Sequence, residues 1–309
     1  MGKNTPMPEG VSKFNRISAF SNVVLTILFL LLGLLCIVPL LFIIIISFTS
    51  EDAISRYGYS FFPKELSFEA YAFLGENINM LLRAAGVSLF VTIVGTAIGI
   101  ALTTSMGYVL SRPVFKLRSF FTWVVIIPMI FNGGLISTYF INTTVLGLGD
   151  SIWALILPLL VSSFNIVICK TYFRTSIGDA IIESAKIDGA SQLRIFVQIV
   201  LPISLPLLAT IGLFLSFNYW NDWYQSLLYI VSPELKSLQA LLTSIEGNVE
   251  YMLANAATLG VTQAEMLAKM PKESFRMAIA VVIILPIAFA YPFFQRYFIS
   301  GLTVGSVKG

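Results

Sequence analysis

Asp179, Glu183, Asp188 and Arg194 lie within one short polar stretch of an otherwise apolar chain. Paired carboxylates can run general acid–base chemistry, as in glycoside hydrolysis, but only across a cleft wide enough for a sugar ring. The stretch Glu183-Ser184-Ala185-Lys186-Ile187-Asp188-Gly189-Ala190, continuing to Ile199-Val200-Leu201-Pro202, offers no such cleft. Ala185 and Lys186 before Gly189, and Gln192 after it, favour helix. Glycine accepts the backbone angles of a sharp corner, so two short helices meeting at Gly189 are predicted. The charges then sit on a solvated helical face suited to ion pairs at an interface. The chain has no histidine, which removes imidazole bases and imidazole metal ligands. It has no G-x-x-x-x-G-K-S/T phosphate loop, so it does not bind ATP in that manner. Cys36 and Cys169 both fall inside apolar runs and read as small hydrophobes, without a disulfide framework.

A second cluster reads Asn218-Tyr219-Trp220-Asn221-Asp222-Trp223-Tyr224. Amide and carboxylate groups among aromatic rings supply what a sugar site needs, apolar faces together with hydrogen bonds to hydroxyls. Polar side chains at membrane depth are costly and mark functional positions. An aromatic belt at the outer interface is the competing reading. Asn132 and Asn165 are further polar candidates inside apolar segments; each can equally bond a neighbouring helix.

The elements that must carry these groups are membrane helices. Of 309 residues, 57% are hydrophobic and 11% charged, against about 25% charged in an ordinary soluble domain. Spans are predicted from Asn22 to about Phe48, Leu82 to Leu110, Phe120 to Ile136, Ser151 to Tyr172, Leu201 to about Tyr224, and Phe275 to Phe298. The first is too long for a signal-peptide core and is read as retained. Pro39 should bend it, and Pro128 with Asn132-Gly133-Gly134 should break the third. Tyr139 to Leu148 reads as a short half-helix on the outer side. Gly95 and Gly99 in the second span form a G-x-x-x-G pair that allows close helix approach. Pro202 and Pro206 are placed to open the fifth span.

The chain thus divides into a cytoplasmic arm (1–21), a transmembrane domain (22–298) and a cytoplasmic tail (299–309). Within the domain, a cytoplasmic segment runs over about 173–200 and an outer one over about 232–273. Most of the 19 Lys and Arg fall on the side that holds both termini and the polar corner, whereas Glu51, Asp52, Glu65, Glu69 and Glu76 fall on the other. The positive-inside rule therefore predicts six spans with both termini in the cytoplasm. The net charge of +3 follows that topology and forms no nucleic-acid patch.

The corner also carries a family resemblance. Glu183, Ala185, Gly189, Ile199, Leu201 and Pro202 match the E-x-A, three residues, Gly, nine residues, I-x-L-P pattern of the EAA loop in binding-protein-dependent ABC importer permeases, with Ser184 where a second Ala is expected. Over its whole length the chain is similar to the carbohydrate-uptake permeases, in particular the smaller maltose-type subunit. Asn132 to Ile136, Trp153 to Pro158 and the ending Gly301 to Gly309 resemble the branch that handles aldouronates, pectin-derived and other complex oligosaccharides. The resemblance implies an all-α type I importer fold in a bacterial plasma membrane and alternating access of a central cavity. It implies a second homologous permease subunit, an ATPase dimer that binds the ATP and Mg, and an extracytoplasmic sugar-binding lipoprotein. Glu183, Ala185, Asp188, Gly189, Arg194 and Phe196 would then couple to the ATPase. Asn218, Trp220, Asn221, Asp222, Trp223 and Asn132 would line the substrate path. A permease for peptides, a membrane-embedded enzyme, and a structural subunit whose companion lines the whole path are the rivals.

Overall fold

The computed structural model describes residues 18–76, 78–254 and 273–305. Most of the N-terminal arm, the end of the 232–273 segment and the last four residues of the tail lie outside them. Among the described residues the regular elements are helices, and one isolated backbone bridge joins Thr49 and Leu66. The chain divides into two compact units, Met1–Tyr71 with Pro271–Val281, and Ala72–Met270 with Val282–Gly309.

The first unit is built on α1 (Ala19–Ser47), whose start is capped by Ser18 accepting the Ser21 N–H at 3.1 Å. The helix runs through Pro39, and nearly all its side chains are exposed, as a lipid-facing span requires. Next comes α2 (Glu51–Tyr57), whose Glu51 carboxylate accepts the N–H groups of Glu273 and Ser274 at 3.1 and 3.2 Å. It also accepts the Ser274 hydroxyl at 3.1 Å. A carboxylate on these orphan donors stabilises the start of the last helix, Glu273–Gly305. That helix takes in residues 299–305 of the segment read as the tail. The short α3 (Glu69–Glu76) leads to the second unit.

The spine of the second unit is α4 (Ile78–Ser111), 34 residues long. It packs chiefly on α8 (Ser163–Ser176) and α12 (Leu205–Trp220). Its glycines make this possible. A Cβ at Gly95 would stand 2.4 Å from the Tyr219 ring, and one at Gly107 would stand 2.4 Å from the Cys169 Cβ. The G-x-x-x-G pair therefore works within this chain, with Gly99 against the Leu160 carbonyl and Leu215.

Three further predicted spans fall on bent helix pairs. The third consists of α5 (Arg118–Ile130) and α6 (Leu135–Phe140), with a wide turn at Ile141–Val145 extending α6. The chain bends by 119° between the two arms. The helix passes through Pro128, and the break lies at residues 131–134, where Gly134 takes φ +81°. The fourth bends by 47° between α7 (Ile152–Ile156), with its tight turn Leu157–Leu159, and α8. The break frees the Ile156 carbonyl, and the buried Tyr219 hydroxyl donates to it at 2.8 Å.

The polar corner consists of α9 (Asp179–Ile187), α10 (Gln192–Ile195), a wide turn Phe196–Val200 and α11 (Leu201–Ile203). A bend of 84° then separates it from α12. The straight helix within the predicted fifth span thus begins at Leu205, and Leu201-Pro202 lies on the corner's side of the bend. It ends at Trp220, and α13 (Tyr224–Tyr229) follows after a non-helical break. After these come α14 (Leu238–Ala254) and α15 (Glu273–Gly305). Among the described residues, α1 and α4 are each long and apolar enough to cross a membrane, and the number reaches five if each of the three bent pairs is one span.

Candidate functional site

The corner is amphipathic. Ile182, Ala185, Ile195 and Val200 are buried and pack with Tyr108, Cys169, Phe173 and Leu207 into one cluster. Gly189 has φ +79°, as the sequence predicts for a corner glycine. Its N–H donates to the Lys186 carbonyl and the Ala190 N–H to the Ala185 carbonyl, both at 3.0 Å. This paired bonding satisfies the carbonyls that α9 leaves open and turns the chain sharply. Ser191 then caps α10 by accepting the Arg194 N–H at 3.3 Å.

The predicted corner residues fall into two groups. Ala185 and Phe196 face inward, Phe196 with its ring centroid 5.0 Å from that of Tyr108. Glu183, Asp188, Gly189 and Arg194 face outward. Arg194 donates to the Gln198 side chain at 2.8 Å, while Glu183 makes no hydrogen bond or ion pair among the described residues. Glu183 therefore does not cap the corner's own backbone. Two apolar side chains, Ile187 (86% exposed) and Leu193 (72%), stand on the same outward face. The sequence reading missed them. Their signal is one of phase, because Ile187 lies off the stripe that Ile182 and Ala185 bury.

The second cluster separates. Asn218, Asn221, Asp222 and Trp223 line one open cleft of about 610 Å³, together with Asn165 from α8 and Phe214. The amides of Asn165 and Asn218 have no side-chain partner among the described residues. The break after α12 creates this cleft. Asn221 donates to the Phe217 carbonyl at 2.9 Å, closing the helix, and Asp222 accepts the Gln225 N–H at 3.3 Å, opening α13. Trp223 is left 42% exposed, edge-on to Tyr224.

Trp220 lies elsewhere. It is 6% exposed, and its indole N–H donates to the Ile283 carbonyl of α15 at 3.2 Å. It borders a separate apolar cavity of about 440 Å³ beside Thr96 and Pro286. Asn132 is not among the lining residues of the cleft either. It sits in the break of the third span, where its side chain accepts the Gly134 N–H at 2.9 Å. Both residues shape helices in this structure.

Two helices long and apolar enough to cross a membrane, three bent helix pairs, a surface corner and a polar cleft are the described features that the comparisons bear on. Residues 95–304 match the family of binding-protein-dependent transport system inner membrane components. The chain belongs to this family. The permease is 38% identical over 277 residues to Protein LplC of Bacillus subtilis (strain 168), covering 90% of this chain and 91% of that one. It is 36% identical over 280 residues to the polygalacturonan/rhamnogalacturonan transport system permease protein YtcP of the same organism, covering 91% and 95%. Its fold is similar to a chain in the crystal structure of a bacterial ABC transporter involved in the import of the acidic polysaccharide alginate. That match has a TM-score of 0.76 and 26% identity, and it covers 95% of the permease and 100% of the other chain. The permease is accordingly a membrane component of an ABC importer and not a catalytic enzyme, and its family implies an ATPase and a binding protein as partners.

Proposed function

We propose that the chain carries an oligosaccharide inward through the plasma membrane, as one of two homologous permease subunits around a central cavity. The observation that carries this reading is the cleft that joins Asn165, Asn218, Asn221 and Asp222 to the exposed Trp223 ring. Aromatic faces and hydroxyl-matching polar groups in one concave site suit a sugar. The relatives named for polygalacturonan/rhamnogalacturonan and alginate point to uronate-containing chains. The cleft has Asp222 and no Lys or Arg among its lining residues. It is therefore suited to hydroxyls, and charges that neutralise a uronate must come from the companion subunit. That same observation favours a second reading, a neutral oligosaccharide, in keeping with a 29%-identical relative named for arabinooligosaccharides. The test is uptake by cells lacking the chain, with trigalacturonate, arabinotriose and a tripeptide offered as labelled solutes. Selective loss of sugar uptake supports the proposal. Loss of the tripeptide alone contradicts it.

The outward face of the corner docks on a soluble ATPase dimer in this account, and that dimer holds the ATP and Mg. Glu183, Asp188 and Arg194 form charged contacts, with Ile187 and Leu193 as apolar anchors. A sugar-binding lipoprotein delivers the solute on the other side. Helix α15 supplies a sixth span, so both termini lie in the cytoplasm. Cysteine labelling of intact cells should then leave Lys116→Cys and Arg194→Cys unmodified and modify Glu65→Cys. Labelling of position 194 from outside overturns the six-span orientation.

A further inference from the structure

Beside the buried apolar cluster, one polar side chain ties the corner to the membrane helices, and the sequence marks it only as part of a basic turn. Arg112 follows the last residue of α4. Its guanidinium makes three hydrogen bonds to three elements. Nε donates to the Ser111 hydroxyl at 2.9 Å, and that hydroxyl donates in turn to the Tyr108 carbonyl at 2.7 Å. A second nitrogen donates to the Asp179 carboxylate at 3.1 Å. The third donates to the Phe173 carbonyl. The Arg112 side chain is 11% exposed, and its guanidinium carbon lies 5.3 Å from the centroid of the Tyr108 ring.

Each partner sits at a mechanical end point. Asp179 is the first residue of α9, whose capping position, Gly178, has no side chain to close it. The Phe173 carbonyl is among the last four of α8, which have no partner within the helix. Ser111 closes α4, the spine on which α8 and α12 pack. We infer that Arg112 is a positioning residue. It fastens the entry of the corner to the inner ends of α4 and α8, so that a displacement of α9 moves both helices without slack. The planar fork of arginine reaches three acceptors in fixed directions, whereas a lysine ammonium acts as a point charge on a flexible stem. An ordinary basic residue of a cytoplasmic turn would be solvated. Lys116 in the same turn is exposed and has no partner among the described residues.

This inference rests on the reading of the corner as the ATPase dock, and the test separates the two. Spin labels at Val109→Cys on α4 and Ala180→Cys on α9, an exposed position outside the docking anchors, are introduced with Cys36→Ser; Cys169 is wholly buried. The distance between labels is recorded for the full complex in detergent, without nucleotide and with ATP plus vanadate. With Arg112 present, one narrow distribution that stays unchanged by nucleotide is expected. Arg112→Lys should retain the ATPase and hydrolyse ATP near the wild-type basal rate, yet show a broadened distribution that shifts with nucleotide. Arg112→Ala should show the larger shift. Narrow, nucleotide-independent distances in Arg112→Lys and Arg112→Ala overturn the joint and leave the dock intact. A distance that shifts with nucleotide in the wild type also overturns it. Failure of the wild-type permease to retain an ATPase overturns the dock, and the joint with it.

Discussion

Gly189→Val is expected to lower ATP-dependent uptake about tenfold or more while the membrane helices stay folded. A β-branched residue at φ +79° costs about 1–3 kcal/mol, and about 1.4 kcal/mol already corresponds to tenfold in an equilibrium. Among the described residues, the two chain neighbours apart, no atom lies within 4 Å of where the new Cβ would stand, so the cost is backbone strain and not collision. The corner relieves that strain by giving up the Gly189 and Ala190 hydrogen bonds that end α9. The outward charges and the two apolar anchors then no longer share one surface. Gly189→Asn should restore much of the uptake, because asparagine tolerates the left-handed region. The check is uptake together with co-purification of the ATPase. Wild-type behaviour of Gly189→Val in both removes the corner from energy coupling.

The second large effect separates two tryptophans three residues apart. Trp223→Ala should leave the complex assembled and raise the half-saturation concentration for the sugar about 30-fold. That corresponds to about 2 kcal/mol for truncating an aromatic anchor at a binding surface. Trp220→Ala should instead reduce the yield of folded permease. It empties a buried position and removes the indole hydrogen bond to the Ile283 carbonyl, at a cost of about 3 kcal/mol or more. Thermal unfolding and concentration-dependent uptake of the two purified variants distinguish these outcomes. Unchanged uptake in Trp223→Ala returns the ring to an interfacial belt. Normal stability in Trp220→Ala contradicts its packing role.

The two tryptophans show where sequence reasoning stops. Residue type and spacing identify the patch, but residues 220 and 223 part company only because α12 ends between them. That ending depends on Asn221 and Asp222 bonding their local backbone, a choice between helix and turn that their types leave open. The corner was far more legible, since a glycine flanked by helix-formers has few alternatives. The 84° bend at Ser204 was not, because Pro202 and Pro206 suit the start of a helix and do not say which helix each begins. The long apolar spans were plain from composition. Two of the three partners of Arg112 are 61 and 67 residues away along the chain, so no local pattern announces them.

The central claim is that this permease passes a sugar when an ATPase closes against the corner. It is tested most directly by reconstituting the purified complex in lipid vesicles with ATP, the sugar-binding lipoprotein and labelled trigalacturonate or arabinotriose. Accumulation of one of the two sugars against its gradient is predicted, dependent on ATP hydrolysis and lost in Gly189→Val. Hydrolysis that proceeds at its full rate with neither sugar accumulated, or sugar uptake that Gly189→Val leaves unchanged, would contradict the account.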